Sequence, residues 1–215
     1  CRPDLHLDQV EFYSEHVKKF LSIETRNVSF CLDKCMRIND SLYDKNIEKT
    51  YDCLLYSKKR RYDHKFESFR NKLIDLLEEN KIKYFEIKAG KFGSYDRDDY
   101  FKALNGSKVM INLSLDECPG ILNYESMIFN VPVIGSRNNV PVTSCKELLV
   151  DNTDTMTDKY LVRNENASEI YFDKLVWFLE NESKLNKIDH RAWIKNHTSF
   201  KRYADNVATL LERII

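Results

Sequence analysis

The chain has 215 residues, 42% of them hydrophobic, and its 34 acidic and 34 basic residues give a formal net charge of zero. This length suits one α/β domain, or one domain with an appendage, and the apolar content excludes a disordered chain. The balanced charge gives no reason to expect a nucleic-acid partner. No apolar run reaches the roughly eighteen residues of a membrane span, and the N-terminus lacks the layout of a secretory signal.

The six cysteines are scattered along the chain, and several of them lie within apolar runs. Cys31 and Cys35 are close in sequence, but no second pair of cysteine or histidine residues completes a set of zinc ligands. The five histidines show no metal-ligand spacing either. We therefore expect reduced, mostly buried thiols in a reducing compartment, and no metal site.

The first fifty residues differ in pattern from the rest of the chain. Residues 9–21 have the pattern of a helix and residues 28–32 that of a strand, and a charged, polar connection follows over residues 33–49. We predict that residues 1–50 form a linker segment leading into the main domain, either the end of a preceding domain or its remnant.

From residue 51 onward, strand patterns alternate with helix patterns. The predicted strands are residues 51–56, 82–87, 108–113 and 131–134, with a short fifth strand at 160–162. The predicted helices are residues 64–80, 97–104 and 119–129 between these strands, followed by 168–179, 187–195 and 199–214. Such alternation implies a parallel sheet with helices on both faces, so we predict a Rossmann-like α/β domain over residues 51–215.

Parallel α/β sheets bind ligands at the carboxyl ends of their strands, so the residues that follow each strand are the informative ones. After the third predicted strand, Pro119 suits the first position of a helix, where its missing N–H is no loss. Gly120 and Ile121 then present free backbone N–H groups, and Gly120 allows a close approach because it has no Cβ. Together with the helix dipole, these groups are suited to bind a phosphate.

Glu125 is the unusual residue of this predicted helix, because it lies near the middle of an apolar arc. The arc consists of Ile121, Leu122, Tyr124, Ile128 and Phe129. A carboxylate in this position is costly unless a partner compensates its charge. Two roles stay open: Glu125 accepts hydrogen bonds from ligand hydroxyls, or it pairs with an internal Arg, Lys or Tyr. Glu117, in the preceding loop, is either a solvated acid or a carboxylate held beside the phosphate site.

Two further segments follow predicted strands. The basic turn, defined as residues 57–65, contains Lys59 and Lys65 and could neutralise a diphosphate, although most such charge runs are solvated surface. Residues 89–97 carry two glycines and two aromatic residues that could stack on a base, or they form an ordinary connection. The absence of Gly-x-Gly-x-x-Gly, Walker A and Gly-x-Ser-x-Gly motifs disfavours simple dinucleotide, P-loop and hydrolase functions.

The segment from Glu117 to Gly135 resembles the signature of retaining GT-B glycosyltransferases of the family-4-like type. That signature has a Glu, a Gly-containing loop, a second Glu at the spacing of Glu117 and Glu125, and a helix that ends before Pro-Val-Ile. Asn130 stands where the family usually has Gly, and Asn also tolerates the left-handed turn that ends a helix. The resemblance covers about residues 51–215, which would then be the C-terminal half of a GT-B architecture.

The resemblance implies that the protein transfers a sugar from a nucleotide diphosphate sugar, UDP- or GDP-linked, to a glycan or lipid-linked acceptor. Glu117 would contact hydroxyls of the donor sugar as the catalytic residue, and Glu125 would hold the nucleotide ribose. The diphosphate or sugar would be bound by three backbone amides and two lysines: Gly120, Ile121, Leu122, Lys59 and Lys65. The family's Arg has no clear counterpart, and Lys59 or Arg60 could take its role.

The same resemblance implies polysaccharide biosynthesis in the cytoplasm, or at the cytoplasmic face of a membrane, with no bound metal and no permanent cofactor. A complete GT-B enzyme has two Rossmann-like domains of similar size, and this chain is too short for both. We therefore expect an isolated donor domain, with the acceptor held by a separate N-terminal domain or chain.

Three other functions stay open. A nucleotide-sugar epimerase-like domain would need a His-plus-carboxylate arrangement, which the sequence does not display. A degenerate nucleotide-sugar-binding or assembly subunit is disfavoured by the intact Glu117, Gly120 and Glu125. A generic flavodoxin-like module would leave a buried Glu125 unexplained.

Overall fold

The computed structural model describes residues 42–89, 95–115, 121–136, 143–156 and 161–197, together with two short strands. These are β1 (Leu7–Asp8) and β2 (Arg26–Asn27), which pair in parallel with each other. Two predicted helices, residues 9–21 and 199–214, lie outside the described residues, as does the strand predicted at 28–32.

The main sheet of the described residues has five strands, all parallel. They are β3 (Tyr51–Lys58), β4 (Tyr84–Ala89), β5 (Ser107–Asn112), β6 (Val133–Ser136) and β7 (Leu149–Val150). Their spatial order is β4-β3-β5-β6-β7. The predicted parallel sheet is therefore confirmed, and its first four strands lie where the sequence predicts them.

The prediction for the fifth strand of the sheet is wrong. The strand predicted at residues 160–162 exists as β9 (Leu161–Arg163), but it pairs antiparallel with β8 (Asp154–Met156), apart from the main sheet. The fifth position belongs to β7, which has only two residues. Two residues are too few to show the alternation by which a strand is recognised.

Helices connect the strands and cover both faces of the sheet. They are α1 (Phe66–Glu79), α2 (Arg97–Asn105), α3 (Ile121–Ile128), α4 (Ala167–Glu180), α5 (Glu182–Leu185) and α6 (His190–His197). The helix predicted at 187–195 is observed as α6, which begins about three residues later than predicted. The cause is Asp189, whose carboxylate accepts a hydrogen bond of 2.7 Å from the N–H of Ala192 and so starts a new helix.

Helix α1 lies on one face of the sheet together with α4, whereas α2, α3 and α6 lie on the other face. The chain moves outward from β3 to β4 through α1, and then returns across β3 to β5 through α2. The direction of winding therefore reverses between β3 and β5. In doubly wound sheets, a crevice for ligands opens at this reversal, at the carboxyl ends of the strands.

Counted from β3, the strand order is 2-1-3-4-5. This is one of the two common orders of doubly wound sheets, and the other has six strands in the order 3-2-1-4-5-6. Both orders place the ligand at the reversal point, so the location of the candidate site does not depend on which order is compared.

The end of α3 shows why Asn is acceptable at position 130. Asn130 has a φ of 55°, in the left-handed region that only Gly and Asn adopt at low cost. The N–H of Asn130 donates to the carbonyl of Met127, and the N–H of Val131 donates to that of Ser126, each at 3.0 Å. This is the Schellman hydrogen-bond pattern, which satisfies the last carbonyls of a helix.

At the amino edge of the sheet, residues 42–50 are bound to the end of α2. The side chain of Asn105 donates to the carbonyl of Leu42 at 2.8 Å and accepts from the N–H of Asp44 at 3.2 Å. The Lys49 ammonium donates to the backbone carbonyl of Asn105 at 2.8 Å. These bonds join the segment before β3 to the edge of the sheet that lies opposite the candidate site.

Candidate functional site

The candidate site is the carboxyl edge of the sheet around β3 and β5, with the first turns of α2 and α3. Ile121 and Leu122 are the first residues of α3, so their backbone N–H groups lie at this edge, where the sequence places them. Leu122 also packs partly against the apolar cluster on the α2–α3 face. Glu117 and Gly120 lie outside the described residues, so their predicted roles stay predictions.

Glu125 is buried, with 3% of its surface exposed, and pairs with Arg97. Nη2 of Arg97 donates a hydrogen bond to Oε1 of Glu125 at 2.8 Å. Arg97 is the first residue of α2, and 57% of its side chain is exposed. The internal ion pair that the sequence left open is therefore present, and its outer member reaches solvent at the carboxyl edge.

Arg97 is the site residue that the sequence analysis missed. It stands in a segment already marked as following β4, but no local spacing pattern in the sequence joins it to Glu125, 28 residues later. A usable signal does exist: α2 and α3 both begin at the carboxyl edge and both cover the same face of the sheet. Cationic and anionic residues in the first turns of two such helices are therefore candidates for pairing.

Tyr100 lies one turn after Arg97 and is fully buried. Among the described residues, its hydroxyl has no hydrogen-bond partner. Burial and the negative charge of Glu125 raise the pKa of Tyr100 well above its ordinary value, so the phenol stays protonated. The Phe101 ring lies 4.9 Å from the Arg97 guanidinium carbon. The first two turns of α2 thus surround the Glu125 carboxylate with a cation and aromatic groups.

Polar side chains at the end of β5 fix the position of α3. The Asn112 side chain donates to the Asn123 side chain at 2.8 Å and accepts from the N–H of Ser114 at 3.0 Å. All three residues are buried. Asn123 lies on a different side of α3 from Glu125, so this contact orients the helix and leaves the carboxylate directed towards α2.

The two lysines of the basic turn lie at the surface beside α1, and each contacts an acid. Lys59 lies 2.6 Å from Glu67, and Lys65 lies 3.9 Å from Glu165. Their side chains are 31% and 49% exposed. Lys59 and Lys65 follow β3, as predicted, but they approach the carboxyl edge from the α1 face, whereas Glu125 approaches from the α2–α3 face.

A buried ion pair lies on the α1 face, next to the basic turn. Nε of Arg163 donates to Oδ2 of Asp63 at 2.9 Å, and both side chains are almost fully buried. The Arg163 guanidinium also donates to the carbonyl of Leu113 and lies 4.1 Å from the centre of the Phe69 ring. Burial raises the pKa of Asp63, although the charge of Arg163 acts in the opposite direction. The pair joins the basic turn, β9 and the carboxyl end of β5.

A second polar cluster fixes the edge strand β4 to α1. Arg70 donates to both carboxylate oxygens of Glu86, and the Ser57 hydroxyl donates to one of them at 2.5 Å. Burial alone would raise the pKa of Glu86, but the bonds from Arg70 and Ser57 lower it below its ordinary value. The charges of Arg70 and Glu86 compensate one another. We therefore infer that the cluster stabilises the edge of the sheet.

Within the described part of the chain, no group of three His, Cys, Asp or Glu side chains could hold a metal ion. The helices of that part include none that is both long and apolar enough to cross a membrane. Cys53 and Cys145 are buried free thiols, and burial raises the pKa of both, that of Cys145 to about 11. These two thiols agree with the expected buried and reduced cysteines.

Known proteins supply no identification of this site. No protein-family model matches the chain, and the comparison with curated proteins gives no match either. The fold and the site geometry therefore carry the functional argument alone.

Proposed function

We propose that this chain is the donor-binding domain of a glycosyltransferase, and that it binds a nucleotide diphosphate sugar, UDP- or GDP-linked, at the carboxyl edge of the sheet. The observation that carries the proposal is the buried carboxylate of Glu125, one turn into the helix that follows β5. Burial of a carboxylate is expensive, even when a partner such as the half-exposed Arg97 compensates its charge. A carboxylate kept at the ligand edge of a doubly wound sheet is better explained by the hydroxyl groups it can bind.

The charges around the reversal point suit such a ligand. Glu125 accepts hydrogen bonds from ribose hydroxyls, while the backbone N–H groups of Ile121 and Leu122 face an anion at the start of α3. The exposed guanidinium of Arg97 lies on one side of this edge and the basic turn on the other. A diphosphate between them meets positive charge from both faces of the sheet.

In the transfer reaction, the bond between the anomeric carbon of the sugar and the diphosphate oxygen breaks while a bond forms from that carbon to an acceptor hydroxyl oxygen. The hydroxyl proton is released, to the departing diphosphate or to solvent, and negative charge develops on the diphosphate. Amides at the start of α3 would stabilise that charge, and the lysines of the basic turn would do so after leaving their contacts with Glu67 and Glu165. Glu117 would contact the sugar hydroxyls. The glycan or lipid-linked acceptor would be held by a separate domain or chain.

A thermal-shift screen tests this proposal. UDP-, GDP-, ADP- and dTDP-sugars are each added to the protein, and binding at one hundred times the dissociation constant should raise the stability by about 2.7 kcal/mol. We expect one nucleotide class to raise the melting temperature by several degrees. The Glu125→Gln variant should lose this response, because a neutral amide binds hydroxyls less strongly than a carboxylate.

Glu182→Gln is the matched control, since Glu182 lies 3.4 Å from Lys108 at the amino edge of the sheet. This variant should respond like the wild type. If no nucleotide sugar changes the melting temperature of the folded protein, the proposed function is wrong.

Two observations favour a second candidate, a flavodoxin-like mononucleotide-binding module. The strand order 2-1-3-4-5 is the flavodoxin-like order, and Arg97 accounts for the buried charge of Glu125. Adding flavin mononucleotide to the same screen separates the two candidates. Stabilisation by this compound, with no response to nucleotide sugars, would favour the module over the glycosyltransferase.

A further inference from the structure

Tyr100 presents a buried hydroxyl that the fold leaves without a hydrogen-bond partner among the described residues. An unpaired buried hydroxyl destabilises a protein, because it loses its bonds to water on folding and gains none in return. A phenylalanine would fill the same apolar space without this cost. The packing of α2 therefore does not explain the hydroxyl of Tyr100.

The surroundings of this hydroxyl point to the candidate site. Arg97 lies one helical turn before Tyr100 and holds Oε1 of Glu125 at 2.8 Å. The Tyr95 ring lies 5.5 Å from the Tyr100 ring. The Tyr100 phenol therefore lies near enough to the Glu125 carboxylate for the negative charge of Glu125 to act on it, and both residues belong to elements that begin or turn at the carboxyl edge.

Resting on the proposed function, we propose that Tyr100 is a ligand-binding residue whose hydroxyl, together with the Glu125 carboxylate, binds the ribose hydroxyls of the nucleotide. A ribose hydroxyl is both a donor and an acceptor. It can donate to the carboxylate while it accepts from the phenol. Arg97 acts here as a positioning residue, because its bond to Oε1 fixes the orientation of the carboxylate.

The raised pKa of Tyr100 agrees with this role. A protonated phenol donates its hydrogen, and a carboxylate only accepts. The two groups therefore offer complementary bonds to a pair of neighbouring hydroxyls. A deoxyribose, which lacks one of them, would leave one protein group unpaired.

Two measurements on the Tyr100→Phe variant test the assignment: the melting temperature without ligand and the dissociation constant of the nucleotide. If the hydroxyl served packing, both values would change in this variant. Melting temperature without ligand should stay unchanged or rise, because the unpaired hydroxyl is gone. The dissociation constant of the nucleotide that binds the wild type best, chosen from UDP, GDP and ADP, should rise about tenfold, as the loss of one hydrogen bond predicts. Isothermal titration calorimetry measures this change.

The 2′-deoxy and 3′-deoxy forms of the same nucleotide identify the bonded group. At least one of them should bind the wild type about tenfold more weakly than the parent, and Tyr100→Phe should reduce that difference.

Tyr171→Phe is the matched control, since Tyr171 is also fully buried but its hydroxyl accepts from the N–H of Ser136 at 3.2 Å. This variant should melt at a lower temperature and keep the wild-type affinity.

The outcomes separate this inference from the proposed function. If the wild type binds a nucleotide and Tyr100→Phe binds it equally well, the assignment of Tyr100 is overturned and the proposed function stands. A marked drop in the melting temperature of Tyr100→Phe without ligand would show that the hydroxyl serves packing, and would also overturn the assignment. If the wild type binds no nucleotide at all, the proposed function is wrong and the Tyr100 assignment fails with it.

Discussion

His190 is a buried histidine at the start of α6, and its Nδ1 shares a hydrogen bond of 2.6 Å with the Ser144 hydroxyl. Burial lowers the pKa of His190 to about 4, although the nearby charge of Asp189 acts in the opposite direction. The folded protein therefore prefers the neutral imidazole, whereas the unfolded chain binds a proton at about pH 6.5. The neutral His190 imidazole makes its full contribution to stability above pH 6.5, and this contribution is lost as the pH falls towards 4.

We predict that this group alone lowers the free energy of unfolding by about 2 kcal/mol between pH 7 and pH 5. In the His190→Gln variant that part of the pH dependence should disappear. Urea unfolding at the two pH values measures the difference. The control His64→Gln, at an exposed position, should keep the wild-type dependence; an unchanged slope in His190→Gln would contradict the prediction.

Among single residues, the anomaly of Glu125 could be predicted from the sequence, but its partner could not. A helical wheel places the carboxylate on an apolar face, and this depends only on local spacing. Arg97 reaches it through the relative position of two helices, which is a tertiary property. Tyr100 shows the same limit, since the absence of a partner for its hydroxyl among the described residues follows only from the positions of the side chains around it.

Helix α2 carries both Arg97 and Tyr100, and its start depends on a side-chain cap. The Asp96 carboxylate accepts hydrogen bonds from the N–H groups of Asp98 and Asp99, at 2.7 and 3.2 Å. These bonds satisfy two of the first amides of the helix, which otherwise have no partner inside it. The cap therefore determines where Arg97 begins the helix and faces Glu125.

We predict that Asp96→Ala lowers the free energy of unfolding by about 1 kcal/mol, the usual cost of losing such a cap. Asp173→Ala, an exposed position inside α4, is the control and should be neutral or slightly stabilising, because alanine favours helices. Chemical denaturation measures both variants. Equal effects at the two positions would show that the cap contributes nothing of its own.

Most elements of the sheet could be predicted because their signals are local. Strands β3 and β5 contain the short apolar stretches Cys-Leu-Leu-Tyr and Val-Met-Ile, and α1 repeats buried residues at helical spacing. The fifth strand could not be predicted, since β7 is only two residues long and depends on its neighbour β6 for its identity. The later start of α6 did have a signal in Asp189, a capping residue directly before the helix.

For the molecule as a whole, the Asp63–Arg163 pair joins segments 100 residues apart. Removing one member leaves the other buried without compensation. Replacing both members of the pair by apolar residues of similar size leaves no buried charge. The pair thus binds the basic turn to β9 and β5, and its energetic contribution depends on both members being present.

We predict that Asp63→Leu lowers the free energy of unfolding by about 3–5 kcal/mol, because a buried arginine cannot lose its charge. The double variant with Arg163→Met should recover much of this loss. Urea unfolding of the two single variants and the double variant gives the coupling energy. Lys72→Met, which breaks an exposed pair with Glu169, is the control and should change stability by less than about 1 kcal/mol. Additive effects at Asp63 and Arg163 would contradict the prediction.

The binding of residues 42–50 to Asn105 has a practical consequence for surface-based assays. Eight residues of β3 separate this attachment from the candidate site, a distance of about 25 Å at the usual rise of a strand. Protein immobilised on a sensor chip through a cysteine introduced at the exposed position 46, as Asn46→Cys, would present its ligand edge to the flowing solution. Random coupling through amines would also use the half-exposed Lys65 and obstruct part of that edge, so the orientation of the immobilised molecules would set the measured binding capacity.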